Sequence, residues 1–263
     1  MKIALLQYHA EGNKQKNVIK ALKLSAKAAA KGAQFILLPE SFNMQAGSNN
    51  AKSVCAAAEI IPGPSTVPFL EFAKEKKVFI LLGSLYEKRK GQQKPYNTSV
   101  LIGPKGEIAL TYQKIHLFHA RIDGKEMKEA NSFSRGKNLS IAKVKEFQLG
   151  LSICYDLRFP EMYAEYRKKG VSLFCAPSCF THKTGEAHWE ALLRARAIEN
   201  LCYIAAPNQV GRGKNGVSLY GGSMVVDPWG KVIACASTKK EEIIYAELNL
   251  ARMKKARRAL PDF

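Results

Sequence analysis

Short, almost entirely apolar runs alternate with amphipathic segments along this chain, and that alternation restricts the fold more than any other feature. The runs KIALLQ (2–7), FILLP (35–39) and VFILLGSLYE (78–87) have the composition of strands buried on both faces. A βαβ order of this kind predicts a layered α/β fold with either one mixed sheet or two packed sheets, and periodicity alone leaves both open. Helices are expected over residues 13–31, 66–77, 160–169 and 188–201.

Two hairpins and a basic helix complete the predicted elements. Residues 97–114 and 223–236 alternate on both sides of the turn sequences GPKG and DPWG, which is typical of β-hairpins. A helix rich in Lys and Arg is expected over 250–259. No linker, repeat or change of composition divides the chain, so residues 1–263 are expected to form a single domain.

The N-terminus and the cysteines indicate a cytoplasmic protein. Gln7 and His9 interrupt the first apolar run, which is therefore read as a strand rather than a secretory signal. No run approaches the ~18 apolar residues of a membrane span, so no membrane partner is expected. The six cysteines are expected to be buried thiols, unless one of them is catalytic.

The charge balance is strongly basic, with 41 Lys and Arg against 22 Asp and Glu and a net charge of +19. Such a charge favours anionic partners, including nucleic acid or a carboxylate-bearing substrate. However, 30 of the 41 basic residues are lysines spread along the chain, and no nucleic-acid-binding motif is visible. A solvated basic surface with no nucleic-acid partner is the preferred interpretation.

Three polar residues follow apolar runs and could share one site. Glu40 ends FILLPE, Lys114 ends the strand of TYQK, and Cys154 ends LGLSIC. A thiol of ordinary pKa ~8.5 needs a neighbouring base to become a nucleophile, and an ammonium group can stabilise the oxyanion formed when it attacks a carbonyl. Taken singly, each residue could equally be a buried small side chain or a solvated loop charge.

The local sequence around these residues resembles the nitrilase, or carbon–nitrogen hydrolase, superfamily. The matching segments are LLPESF, YQKIHLF, SICYDLRFPE, GEAHWEALLRARAIENLCYIAAPNQ and SMVVDPWGKVIA, in that order and over nearly the whole chain. The resemblance implies a four-layer αββα sandwich built on two packed mixed sheets. It also implies subunits that pair into homodimers or higher homo-oligomers.

The resemblance implies a role for each matching residue. Glu40 would be the general base, and Lys114 with the backbone N–H of Tyr155 would hold the oxyanion. Cys154 would attack an amide carbonyl and form a thioester, with no metal and no organic cofactor. A second glutamate of the family follows the lysine segment. Glu126 and Glu129 are both candidates because the loop is about a residue shorter than usual, and Glu129 is preferred.

Substrate-binding residues are also implied, with alternatives left open. Arg158 could pair with a substrate carboxylate or form a structural ion pair with Glu161 or another acidic residue. By the same resemblance, Phe180 and Thr184 line the pocket, although Phe180 could belong to the core instead. His188 and Trp189 are assigned to the start of a helix and to packing.

The motifs most resemble Nit-type amidases, a branch that includes deaminated-glutathione amidases and omega-amidases. Deaminated glutathione is the first choice of substrate. Hydrolysis of α-ketoglutaramate is the alternative, followed by hydrolysis of an N-carbamoyl amino acid. Tyr155 and Asp156 stand where nitrilases carry Trp-Glu after the nucleophile, so a nitrile substrate is disfavoured.

Other kinds of site were weighed. A papain-like pair would combine Cys154 with one of the histidines, but the sequence around Cys154 differs from that of papain-like enzymes. A zinc site could use Cys175, Cys179 and His182, although no fourth ligand is evident. A non-catalytic scaffold is disfavoured because all three polar residues are present. The candidate histidines for the papain-like pair are His116, His119 and His188.

Overall fold

The computed structural model describes residues 1–45, 50–122, 125–213 and 216–261, and its elements follow the predicted alternation. The strands within these ranges are Lys2–Gln7 (β1), Phe35–Leu37 (β2), Phe79–Glu87 (β3), Tyr96–Ile102 (β4), Ile108–Gln113 (β5), His119–Ile122 (β6), Lys125–Lys128 (β7), Ile141–Val144 (β8), Phe147–Leu151 (β9), Leu173–Cys175 (β10), Tyr203–Ala206 (β11), Val210–Arg212 (β12), Ser218–Tyr220 (β13), Met224–Val226 (β14), Val232–Cys235 (β15) and Glu242–Glu247 (β16). The helices are Lys14–Ala30 (α1), Ala51–Ala57 (α2), Val67–Lys76 (α3), Pro160–Lys168 (α4), His182–Asn200 (α5) and Leu250–Ala259 (α6), with short 3-10 helices at Glu129–Asn131 and Cys154–Arg158.

Two six-stranded sheets form the centre of the described structure, with strand orders β16-β1-β2-β3-β4-β5 and β15-β14-β11-β10-β9-β8. Both sheets are mixed. Strands β1, β2 and β3 are parallel, as are β9, β10 and β11, and the outer pairs are antiparallel. The two-sheet alternative left open by the sequence is therefore the correct one.

The main core lies between the sheets, and alternate residues of a single strand show how the layers are built. Ile3 and Leu5 of β1 belong to the cluster shared with the second sheet, whereas Ala4 and Leu6 pack under α1 and α3. Successive strand side chains point to opposite faces, so a strand covered on both faces is apolar throughout. Residues of α4 and α5 cover the other sheet. The predicted αββα order of layers is confirmed.

Helix α5 starts earlier than expected. It begins at His182 rather than at residue 188, so the assignment of His188 to a helix start is wrong. Gly185 lies in the extra turns, where an added Cβ would collide with the ring of Tyr220. Glycine and polar residues conceal the helical pattern of these turns in the sequence, but the close approach to Tyr220 explains the glycine. Trp189 is buried, as predicted.

The basic C-terminal helix α6 has the predicted bounds and contacts the segments that precede β10 and β11. Met253 and Ala256 are buried, and the guanidinium of Arg257 donates to the carbonyls of Val171 at 2.9 Å and Leu201 at 3.3 Å. Its remaining basic side chains are exposed. Among the helices of the described ranges, none has the length and apolar character needed to span a bilayer.

Candidate active site

Glu40 occupies a tightly held turn after β2. The strand ends at Leu37, and Pro39 cannot continue it because proline has no N–H to donate. Ser41 has a φ of 53°, in the left-handed region that is uncommon for residues other than glycine. Buried Gln209 donates its side-chain amide to the carbonyl of Glu40 at 2.7 Å and to that of Ser41 at 3.2 Å. The carboxylate is thus presented by a backbone with little freedom to move.

Lys114 follows β5 directly and is only 1% exposed. Its Nζ lies 2.9 Å from Glu40 Oε1 and 2.9 Å from Glu129 Oε2. Burial alone would lower the pKa of Lys114, but the charges of Glu129 and Glu40 outweigh it, so the pKa is raised well above its usual value. The ammonium group therefore remains charged between two carboxylates.

Of the two candidates for the second glutamate, Glu129 is the one that contacts Lys114. It starts the first 3-10 helix, and its Oε2 accepts a hydrogen bond from the N–H of Phe118 at 2.7 Å. Burial raises the pKa of Glu129, the charge of Lys114 opposes that rise, and Glu40 reinforces it. Glu126 is exposed and lies 2.9 Å from the ring of His119.

Cys154 begins the second 3-10 helix, after β9 has ended at Leu151. Its φ of 49° is in the left-handed region, so the thiol stands on a sharp and unfavourable turn. Burial raises the pKa of Cys154 well above its usual value, and the charge of Glu40 raises it further. Lys114 and the N–H of Cys179 act in the opposite direction. At rest near neutral pH, the sulfur is therefore a protonated thiol that needs a base.

Asp156 connects the turn that carries Cys154 with the segment that carries Lys114. The carboxylate is fully buried and accepts hydrogen bonds from the N–H of Ile153 at 2.9 Å, the hydroxyl of Tyr112 at 2.7 Å and the N–H of His116 at 2.8 Å. The sequence analysis used this residue only to distinguish branches of the family. Its bonds fix the relative position of two segments that lie about forty residues apart in sequence.

One cavity of about 140 Å³ brings the predicted residues together. Such a volume suits a small molecule. Its described lining also contains residues that the sequence analysis missed, because apolar and amide side chains in loops carry no local signal. The lining consists of Glu40, Ser41, Gln45, Tyr86, Asn97, Lys114, Phe118, Met127, Glu129, Phe133, Cys154, Tyr155, Arg158, Cys179, Phe180, Thr181, Thr184, Gly213, Val217 and Leu219.

Each residue predicted to bind substrate lies on this lining. Arg158 is stacked between aromatic rings, with its guanidinium carbon 5.8 Å from the ring centroid of Tyr155 and 5.7 Å from that of Phe180. Phe180 also packs against Trp189 with ring centroids 4.8 Å apart. It therefore both lines the pocket and belongs to the core. Thr184 lies on the first turn of α5, with its hydroxyl 2.9 Å from that of Thr181.

The alternative ion pair of Arg158 with Glu161 does not form. In the part of the chain that the structure describes, the Arg158 guanidinium contacts the ring of His188, with Nη2 3.2 Å from Nδ1, and the two aromatic rings. None of these partners is a carboxylate. The cavity therefore contains a guanidinium available to an anionic group.

The cysteine–histidine and zinc alternatives lack the required arrangement. The ring of His116 stacks on Phe159 at 3.6 Å, and its Nδ1 lies 2.8 Å from Asp156. No histidine is among the described residues that line the cavity. Across the described ranges, no three His, Cys, Asp or Glu side chains are grouped to hold a metal ion.

Comparison with known proteins identifies the relatives of this chain. The family model described as "Carbon-nitrogen hydrolase" matches residues 2–258. The chain is 38% identical to the protein named Omega-amidase NIT2 of Homo sapiens over 263 residues, which cover 100% of this chain and 93% of that protein.

Solved structures agree in fold. Nit3 of Saccharomyces cerevisiae, described as a member of branch 10 of the nitrilase superfamily, superposes with a TM-score of 0.89 at 30% identity, covering 99% of this chain and 94% of that chain. A mutant amidase from Nesterenkonia sp. AN1 gives a TM-score of 0.80 at 26% identity, covering 100% of this chain and 95% of that chain. That structure is described as showing covalent addition of the acetamide moiety of fluoroacetamide at its active site cysteine.

Proposed function

Because the chain belongs to the carbon–nitrogen hydrolase family and is an amidase, we propose that it hydrolyses the amide of a small carboxylate-bearing molecule through a thioester on Cys154. The observation that carries this proposal is the grouping of Glu40, Lys114, Glu129 and Cys154 in one cavity with Arg158. A thiol, a base and a cation are the groups that cysteine-dependent acyl transfer requires.

The first half of the reaction forms the thioester. Glu40 takes the proton of Cys154 as the sulfur attacks the amide carbon. Lys114 and the N–H of Tyr155 hold the oxygen that becomes negatively charged. Glu40 then gives that proton to the departing nitrogen, so the carbon–nitrogen bond breaks and ammonia leaves. Because the resting thiol is protonated, this proton transfer is needed for the attack to start.

The second half releases the acid. Glu40 takes a proton from water, the hydroxide attacks the thioester, and Lys114 again holds the oxyanion. The bond from carbon to sulfur breaks, and the proton on Glu40 returns to Cys154. Glu129 keeps Lys114 charged and oriented throughout, since it supplies the second carboxylate against which the ammonium is held.

The proposed substrate is an amide with a carboxylate at its other end, and the relatives favour one member of that class. Several relatives of this chain are named omega-amidases, which supports α-ketoglutaramate rather than the deaminated glutathione preferred from the motifs. Arg158 supports the carboxylate, because a guanidinium binds a carboxylate through two parallel hydrogen bonds. We further propose that residues 1–263 act as one domain, in a homodimer, in the reducing cytoplasm where a catalytic thiol persists.

The test of function is ammonia release by the purified protein from a panel of substrates at equal concentration. The panel contains α-ketoglutaramate, deaminated glutathione, glutamine, an N-carbamoyl amino acid and a simple nitrile. We expect the highest kcat/KM for α-ketoglutaramate. A preference for deaminated glutathione would support the substrate first chosen from the motifs. The absence of ammonia release from every amide would contradict the proposed activity.

Arg158 provides a separate prediction about the substrate. Arg158→Met keeps an apolar stem between the two aromatic rings but removes the charge. We expect kcat/KM for α-ketoglutaramate to fall about ten- to a hundredfold, mostly through KM, because a charge-assisted pair contributes about 1.5–3 kcal/mol. Initial rates should be measured on α-ketoglutaramate and on propionamide, which has no carboxylate.

The control for this prediction is Arg194→Met, which removes an arginine of α5 that is not part of the described cavity lining. Its kinetics should match those of the parent. Equal losses on α-ketoglutaramate and propionamide in Arg158→Met would contradict a carboxylate-binding role.

A further inference from the structure

Asn97 is a buried amide beside the carboxylate of Glu40 that none of the proposed chemical steps uses. It is the second residue of β4 and is 2% exposed. Its Nδ2 donates to Glu40 Oε1 at 2.9 Å, the same oxygen that receives Nζ of Lys114 at 2.9 Å. One donor from β4 and one from the residue that follows β5 therefore converge on the same carboxylate oxygen.

The other end of the Asn97 side chain has no partner. Its Oδ1 is buried and accepts no hydrogen bond within the described structure. A buried carbonyl without a donor costs folding free energy, and an apolar side chain of the same size would avoid that cost. Rotating the amide would not help, because the carbonyl oxygen would then face the carboxylate of Glu40. The benefit of asparagine here lies in the bond from Nδ2.

From this contact we propose that Asn97 is a positioning residue for the hydrolysis, which orients the carboxylate of Glu40. The inference rests on the proposed function, in which Glu40 is the base. A hydrogen bond donated to a carboxylate stabilises the charged form over the neutral one. Without Asn97, Glu40 Oε1 would keep Lys114 as a donor but lose the hydrogen bond from β4.

Other titratable groups also surround Glu40. Lys114 is the cation that contacts its carboxylate, at 2.9 Å. The remaining groups are carboxyl or thiol groups. Together the titratable groups that interact with Glu40 are Lys114, Glu129, Cys154 and Cys179.

The test compares pH profiles of kcat/KM for α-ketoglutaramate in the parent, Asn97→Leu and Asn97→Asp. Leucine removes the donor while keeping the number and branching of the side-chain heavy atoms. We expect kcat/KM at neutral pH to fall about ten- to a hundredfold, and the acid limb to move up by about one pH unit. Aspartate keeps the shape but places a second carboxylate against Glu40, so its acid limb should move further. A purely structural role predicts the smaller effect for aspartate, since its shape is that of asparagine.

Controls separate this inference from the function on which it rests. Thr98→Val removes a neighbouring buried hydrogen bond, from Thr98 Oγ1 to Glu87 at 2.7 Å, and should leave the acid limb unchanged. Glu40→Gln tests the base itself. If it retains parental activity, the proposed role of Glu40 fails. If it is inactive while the Asn97 variants keep the parental acid limb, only the inference on Asn97 fails. Asn97→Ala, which adds no bulk, replaces either variant that does not fold.

Discussion

The Cys154→Ala variant is expected to lose kcat/KM for α-ketoglutaramate by more than about 10⁴-fold, because it lacks the thiol that we propose as the nucleophile and so cannot form the proposed thioester. The variant should nevertheless fold. Cys154 is a small buried side chain at a φ of 49°, and alanine has the same backbone preferences at that angle. We therefore expect a melting temperature within a few degrees of the parent.

The measurement combines ammonia release with mass spectrometry of the intact protein. The parent should gain one acetamide group at Cys154 when treated with a haloacetamide. Peptide mapping distinguishes this site from Cys179, which also lines the cavity, and the Cys154→Ala variant should lack the addition at residue 154. Cys55 and Cys235 are exposed, so the expectation that the cysteines other than a catalytic one are buried is wrong for these two. Both serve as internal controls for general thiol reactivity. Ammonia release by Cys154→Ala near the parental rate would remove this residue from the mechanism.

Cys154→Gly is a matched variant that tests the backbone of the nucleophile turn. Glycine adopts positive φ without the steric cost that other residues incur, so the turn becomes easier to form. Both variants lack the thiol and should be equally inactive. A higher melting temperature for the glycine variant than for the alanine variant would show that the sharp turn at Cys154 costs stability in the parent.

The layers of the fold were predictable because burial leaves a strong pattern in sequence. Strands such as β1 are apolar on both faces since both faces are covered, and that is visible without a structure. The choice of two sheets over one was not visible, because it depends on which strand edges pair. Resemblance to the superfamily decided it, and the arrangement of strands confirms that choice.

The residues of the candidate site also fall into two groups, those that the sequence identifies and those that it does not. Glu40, Lys114 and Cys154 stand within short local motifs, so their sequence neighbours identify them. Asn97 has no such signal, because its contact with Glu40 joins residues 57 apart and depends on strand register. The ladder between β3 and β4 shifts register between Leu82 and Leu85. This shift breaks the alternation of side chains, so the sequence does not predict which face of the sheet Asn97 lies on.

Lys114→Met is expected to impair both activity and stability. Methionine retains the length of the apolar stem but removes the charge that we propose holds the oxyanion, so kcat should fall roughly 10²–10³-fold. The change also leaves Glu40 and Glu129 buried without their shared cation. Loss of one partner from a buried ion pair destabilises a protein by about 3–5 kcal/mol. Chemical denaturation near neutral pH should reveal that deficit.

The loss of unfolding free energy in Lys114→Met should depend on pH, because it depends on the pKa of Glu129. Burial already raises that pKa. The charge of Lys114 lowers it more than the N–H of Phe118 does, so the variant should raise it further. A carboxyl whose pKa is higher in the folded than in the unfolded state stabilises the fold fully below its unfolded pKa of about 4.3. That contribution is lost as the pH rises through the folded pKa. The deficit of Lys114→Met should therefore be largest at neutral pH and decrease towards pH 5.

A matched lysine variant tests whether the effect is specific to the buried cluster of Lys114, Glu40 and Glu129. Lys168→Met removes an exposed lysine of α4 that lies 2.7 Å from Glu165, and exposed pairs contribute little to stability. Its unfolding free energy should match that of the parent at both pH values. If the deficit of Lys114→Met were equally large at pH 5 and pH 7, it would come from lost packing rather than from two buried carboxylates. The ammonium group would then have no measurable part in keeping Glu129 ionised.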